Sequence, residues 1–381
     1  MKRFISVCLT LIMCLSLAVP ALAVEGQGTR VEDSAPSEHD IANYALNFMS
    51  ESQDNDNLAI KDFTRLYLED GQISGYYVTF RDRTSCAGYV LLSLLTEGTP
   101  VVEFAFEGEG PLGDAELQMN SLSGVNKPLN IDEEKNILYT GPGEIYLPVG
   151  NNDYYSVYDQ AVKTVYPGVS VASNITIGGG IIDWDDSNVN SSSVFKIKNF
   201  GAGTDYWLMT DFSSGGVCCP TAATNILWYW GKMRGCSFVM DKVSSYTTNR
   251  AKATAIFNTV SRHMGTNADT GTKDIKVYAG YSGFFGELPS SGNWNYKHLS
   301  NGTSFGSFKT ELNGHCPIHL MLHTKNTLLD KGDGHSVMAF GYATSNIGTP
   351  YLFVMDGWNS YGRFVKFNYY PYVAGYKIWV K

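Results

Sequence analysis

Pro220 fixes one point of this chain. Proline is at home in the first turn of a helix, where its missing N–H had no intrahelical partner to lose. Behind it Ala222, Ala223, Ile226, Leu227 and Trp230 recur at helical spacing, and Gly231 and Gly235 mark the end. A helix therefore starts near residue 220, and Cys218 and Cys219 stand at its head. A thiol there feels the positive end of the helix dipole and unpaired N–H groups. Both favour thiolate, the nucleophilic form. Gly215 and Gly216, just upstream, allow the backbone to approach a substrate closely. The bland alternative is a buried cysteine capping a core helix. Local physics does not choose between Cys218 and Cys219.

A nucleophilic cysteine needs a base. Of the histidines in the chain, His335 is best placed, in Gly332-Asp333-Gly334-His335-Ser336, at the head of the apolar run Val337-Met338-Ala339-Phe340. A strand end beside a glycine turn aims an imidazole; a surface loop histidine is the alternative. An orienting acceptor is expected next, and Asp356 closes the apolar strand Tyr351–Met355, followed by Gly357 and Trp358. Its side chain is expected to hold the imidazole tautomer, with the tryptophan excluding water; otherwise Asp356-Gly357 is a strand-ending turn. A rival use of histidine is metal binding by His315-Cys316-x-x-His319-x-x-x-His323. Ile318, Leu320 and Leu322 alternate with His319, Met321 and His323, however, which is strand spacing, and Pro317 disfavours a helix. No metal and no cofactor is called for.

The remaining sequence sets the context. Residues 1–23 carry Lys2 and Arg3, an apolar run from Ile5 to Val19, and Ala21-Leu22-Ala23. This is the pattern of a secretory signal cut before Val24, which predicts a secreted protein with no membrane segment after cleavage. The five cysteines beyond it, Cys86, Cys218, Cys219, Cys236 and Cys316, are odd in number and sparse, unlike a disulfide framework. Residues 24–175 hold 24 acidic and eight basic residues, net −16, whereas residues 176–381 hold 13 and 18, net +5. So small a positive excess, without interleaved aromatics, excludes a nucleic-acid partner. Ser37-Glu38-His39-Asp40 opens an amphipathic helix through Ile41, Tyr44, Ala45, Phe48 and Met49. Strand-like runs follow at 66–68, 76–80, 88–95, 101–106, 137–140 and 144–148. The turn-rich stretch 165–205 holds the expected domain boundary. Beyond it come the helix at Pro220, a second at about 241–264, and strands at 318–323, 336–342, 351–355, 363–369 and 376–380.

In their order along the chain, Cys218-Cys219-Pro220-Thr221-Ala222, Gly334-His335-Ser336-Val337-Met338-Ala339-Phe340 and Tyr351–Met355 with Asp356-Gly357-Trp358 resemble the papain-like cysteine peptidases, most closely the secreted, streptopain-like bacterial branch. His315-Cys316-Pro317-Ile318 is similar to the strand these enzymes carry before the histidine, and the first half, one helix followed by the runs at Gly75–Phe80, Gly88–Ser93 and Pro100–Val102, resembles a streptopain-type propeptide. The resemblance implies an α+β papain-like domain over 176–381, with a helical side led by Cys218 and an antiparallel β side bearing His335 and Asp356. An acidic α+β pro-domain over 24–175 would act as an intramolecular inhibitor. It also implies Cys218 as nucleophile, His335 as base, Asp356 as orienter, and a peptide or protein substrate. The oxyanion glutamine of the family has no counterpart between residues 161 and 217, where Asp211, Ser213 and Ser214 lie. The hole would then use the Cys218 N–H with a hydroxyl or another group whose identity the sequence leaves open. Transpeptidase or amidase chemistry at the same site, and an inactive binding protein of the same fold, stay open as alternatives.

Overall fold

The computed structural model describes residues 37–381 except 84, 96–99, 116–118, 120–135, 142, 151–152, 159–160, 165–188, 190–192, 201–205, 214, 269, 289–293, 301, 324–333, 370–371 and 381. The leader and the 175/176 boundary lie outside the described residues. Helix α1 (Glu38–Gln53) begins as expected. The Ser37 hydroxyl accepts the Asp40 N–H at 3.2 Å and Asp40 accepts the Ser37 N–H at 3.1 Å, a reciprocal cap. Its apolar stripe, Ile41, Tyr44, Ala45, Phe48 and Met49, is buried. The strands that follow are β1 (Leu58–Tyr67), β2 (Ile73–Asp82), β3 (Ser85–Ser93), β4 (Val101–Ala105), β5 (Leu138–Gly141), β6 (Glu144–Pro148), β7 (Asp153–Ser156) and β8 (Ala161–Thr164).

The second half runs β9 (Phe195–Lys196), α2 (Cys218–Trp228), α3 (Asn249–Met264), α4 (Val277–Gly286), β10 (Trp294–Leu299), α5 (Phe305–Asn313), β11 (Ile318–His323), β12 (Gly334–Thr344), β13 (Pro350–Met355), β14 (Arg363–Lys366) and β15 (Tyr372–Val380). The second helix starts later than expected, because the Thr248 hydroxyl caps the Ala251 N–H and a separate short turn occupies Ser237–Asp241.

Among the described residues, both halves share one sheet, in the order β10-β15-β11-β12-β13-β14-β4-β3-β2-β1-β5-β6-β7-β8, with β9 on β12. Pro36–Lys381 accordingly form one unit. The link is β14 against β4, antiparallel, with Phe364 opposite Phe104 and Val365 opposite Glu103. Aromatic packing secures it. Phe364 stacks on Phe104 at 4.7 Å and on Phe353 at 4.1 Å, and the Tyr351 hydroxyl donates to the Val101 carbonyl at 3.1 Å. Helices α2, α3 and α4 pack together, and α2 lies against β11 and β12.

Candidate active site

Three chain segments converge on the first turn of α2. The thiol of Cys219, 2% exposed, interacts with the side chain of Ser336, the neighbour of His335 in β12. Thr221 approaches Gly357, the neighbour of Asp356; a Cβ on Gly357 would lie 3.6 Å from the Thr221 methyl. Gly357 has φ +83°, which glycine adopts without strain, and its carbonyl accepts the Met209 N–H at 2.7 Å. Cys218, His335 and Asp356 thus each stand one residue from a contact that joins their elements. Val217 supplies no side-chain cap to the helix, and Pro220 has no N–H, so the Cys218 and Cys219 N–H groups head the helix.

The structure separates the two cysteines that local sequence leaves equivalent. Cys218 is half-buried. Cys219 points into the core, 3.6 Å from His319 Nε2 and 3.6 Å from Met264 Sδ, and burial pushes its thiol well above the ordinary range. A thiol held protonated in this way is a poor nucleophile.

His335 is half-buried, and its Nε2 lies 2.7 Å from the main-chain carbonyl oxygen of Asp356. A carbonyl only accepts, so Nε2 carries the proton, and Nδ1 is left with the lone pair of a base. Trp358 lies flat on the ring at 3.7 Å. Burial holds the His335 pKa down at about 4; the Asp356 charge pulls it up and the Arg363 charge pulls it down. At neutral pH the imidazole is uncharged.

Asp356 therefore grips His335 by its backbone, where the sequence had suggested its side chain. The carboxylate is fully buried and otherwise engaged. Oδ1 accepts the Trp358 and Asn359 N–H groups at 2.8 and 2.9 Å. Oδ2 accepts Asn359 Nδ2 at 2.8 Å and pairs with Arg363 Nε at 3.0 Å. The carboxylate shapes the turn that presents the carbonyl. Trp358 covers the imidazole as expected, whereas Arg363 was missed as a site residue; a charge opening the apolar run Arg363-Phe364-Val365 was the available signal.

Other sequence features have different duties. Gly215 and Gly216 make room for the 268–271 turn, since a Cβ on either would meet the Ala268 carbonyl oxygen at 2.6 or 3.0 Å. Asp211 is committed to the Leu208 N–H and to Arg250, each bond close to 2.9 Å. Ser214 lies outside the described residues. The histidines of the rival metal reading have separate partners: His315 Nδ1 accepts the Lys198 N–H, His319 Nδ1 meets the Tyr281 hydroxyl, and His323 Nε2 meets Asp274.

Residues 205–377 match the model of the Peptidase_C39 like family. The match supports a cysteine peptidase. It covers Cys218, His335 and Asp356 and the helices and strands that carry them, an arrangement compatible with a papain-like fold. No curated protein matches the chain.

Proposed function

We propose that this chain is a secreted cysteine endopeptidase of papain-like design, with an N-terminal region like that of the streptopain branch. The observation that carries the proposal is the commitment of His335 Nε2 to the Asp356 carbonyl, which leaves Nδ1 as a neutral base on the strand that α2 packs against. In the proposed reaction Nδ1 takes the Cys218 thiol proton as sulfur attacks a peptide carbonyl carbon. The tetrahedral oxyanion is stabilised by the Cys218 N–H at the head of α2. Collapse of this intermediate breaks the C–N bond, and the imidazolium returns the proton to the leaving amine. Water, deprotonated by the same nitrogen, then hydrolyses the thioester and restores the thiol.

We further propose that the protein is made as a zymogen, with its acidic N-terminal half as inhibitor. Opposite net charges on the halves support this, as does the leader at residues 1–23 for secretion. The test is thiol labelling of the full chain under reducing conditions. Fast alkylation of Cys218, abolished in His335→Ala, together with self-cleavage between residues 150 and 200, is the expected result. Slow and equal labelling of every cysteine, with no hydrolysis of a casein substrate, overturns it.

A further inference from the structure

Arg363 is 1% exposed and Glu103 is fully buried, and they belong to opposite halves of the chain. Strand geometry explains how they meet. Val365 faces Glu103 across the β14–β4 pair, and Arg363, two residues away on β14, projects from the same face as a diagonal neighbour. Arg363 also pairs with Val354 of β13, and Asp356, two residues beyond Val354, comes to that face as well. Glu103, Arg363 and Asp356 thus form one buried row.

Contacts run along this row to the histidine. Glu103 Oε1 accepts Arg363 Nη1 at 2.5 Å and the Tyr89 hydroxyl at 2.5 Å, and Oε2 accepts the Tyr158 hydroxyl at 3.3 Å. Arg363 Nε pairs with Asp356 Oδ2, and the Asp356 carbonyl holds His335. The N-terminal half makes two further contacts. Tyr158 sets its ring edge-on to Trp358 at 5.4 Å, the tryptophan that covers His335. The Gly110 N–H donates to the Tyr361 hydroxyl at 2.6 Å, within the same 356–363 turn. A buried guanidinium needs paired, hydrogen-bonded counter-charges. Without Glu103, Arg363 keeps only the Asp356 carboxylate and is driven to rearrange toward it or toward water. Either movement disturbs the turn whose backbone sets the imidazole.

We propose that Glu103 is a positioning residue for His335, acting through Arg363 and the Asp356 turn, so that the N-terminal half is a working part of the site. For its link to catalysis the proposal rests on the peptidase reading; its geometry stands apart from that reading. A maturation cut, on this view, has to leave β4 seated.

The test follows the histidine directly. Full-length protein labelled at histidine Cε1 is titrated by NMR, with His335 assigned from its missing signal in His335→Gln. In the wild type His335 is expected to titrate well below the ordinary imidazole range, because it is buried. In Glu103→Gln its signal and its titration midpoint are both expected to move from the wild-type positions, with His319 unchanged. A folded Glu103→Gln protein with a wild-type His335 signal and titration overturns the proposal.

Where Glu103→Gln does not fold, the pair Glu103→Leu/Arg363→Met removes the Glu103–Arg363 pair together, and the Asp356 carboxylate keeps the Trp358 and Asn359 N–H groups and Asn359 Nδ2. The double variant still takes Arg363 away from Asp356, so His335 is expected to remain displaced. Return of the wild-type His335 signal along with the fold would make the row merely structural and overturn the assignment. Peptide hydrolysis is measured alongside, and a loss of kcat/KM on the order of 10²-fold is expected in Glu103→Gln. Absence of hydrolysis in the wild type after cleavage between residues 150 and 200 would defeat the peptidase reading while leaving the NMR outcome decisive for Glu103. A cut introduced at Gly178–Gly180 supplies the last arm. Its two products are expected to co-elute, and full activity in a separated C-terminal product overturns the requirement for the N-terminal half.

Discussion

Adjacent cysteines at the head of one helix differ sharply, and so do the histidines of the adjacent strands β11 and β12. Cys219 contacts His319 Nε2 in the core, and Tyr281 closes the far side of that imidazole at 2.9 Å. Burial raises the thiol and drops His319 to about 3. Both groups are therefore neutral at pH 7, shielded from substrate and locked by neighbours. Cys218 and His335 are only half-buried, and the ring has one nitrogen committed and one available. A cysteine and a histidine at hydrogen-bond distance do not by themselves make a nucleophile and base. Access and the choice of tautomer separate the two pairs.

Exchanging the cysteines one at a time gives the largest expected effect. Cys218→Ala is expected to lower kcat by at least about 10³-fold, the scale on which nucleophile deletions act. Cys219→Ala is expected to leave kcat within a fewfold and to lower stability instead, read as a drop in the urea midpoint. Equal losses of activity in both variants would break the distinction between the pairs.

The sequence carried much of this arrangement and missed its depth. Pro220 with the apolar stripe behind it announced α2, and alternation from Ile318 to His323 announced β11, because both patterns are local. The Cys219–His319 contact spans 100 residues and depends on how α2 lies on the sheet; no local pattern records that. Strand β10 was missed because most of its side chains are exposed and it shows no alternation. Helix α4, Val-Tyr-Ala-Gly-Tyr-Ser-Gly-Phe-Phe-Gly, was missed because three glycines and four aromatics mask any helical preference. The β14–β4 seam joins residues more than 250 positions apart. Its one hint was a lone charge in Val101-Val102-Glu103-Phe104-Ala105, where burial of an unpaired carboxylate would be prohibitive.

Acid stability sharpens the contrast next. Both histidines hold pKa values below the ordinary 6.5, at about 3 for His319 and about 4 for His335. Between those values and 6.5 the unfolded chain binds protons that the native chain refuses, so stability is full above pH 6.5 and falls as the pH drops. The slope for fully buried His319 is about 1.4 kcal/mol per pH unit, and half-buried His335 contributes less. Urea unfolding at pH 7 and pH 5 is expected to show a loss of about 2 kcal/mol from His319, absent in His319→Gln. A pH-independent difference between wild type and His319→Gln would show that His319 is solvated and would erase the contrast.

The smallest effect is expected at Tyr281, which touches one histidine and leaves the other alone. Its hydroxyl is fully buried against His319 Nδ1, and Tyr281→Phe removes that partner without changing the ring that packs edge-on to the imidazole at 5.8 Å. An unsatisfied buried nitrogen costs about 1–3 kcal/mol, so the urea midpoint is expected to fall. The Cys218 alkylation rate and the His335 titration are expected to stay as in the wild type, because the Asp356 carbonyl and Trp358 that hold His335 are untouched. Should Tyr281→Phe slow Cys218 labelling along with lowering stability, the two pairs would be coupled through α2. The buried pair would then act as a platform that sets the height of the helix head, and Cys219 and His319 would contribute to the site through position.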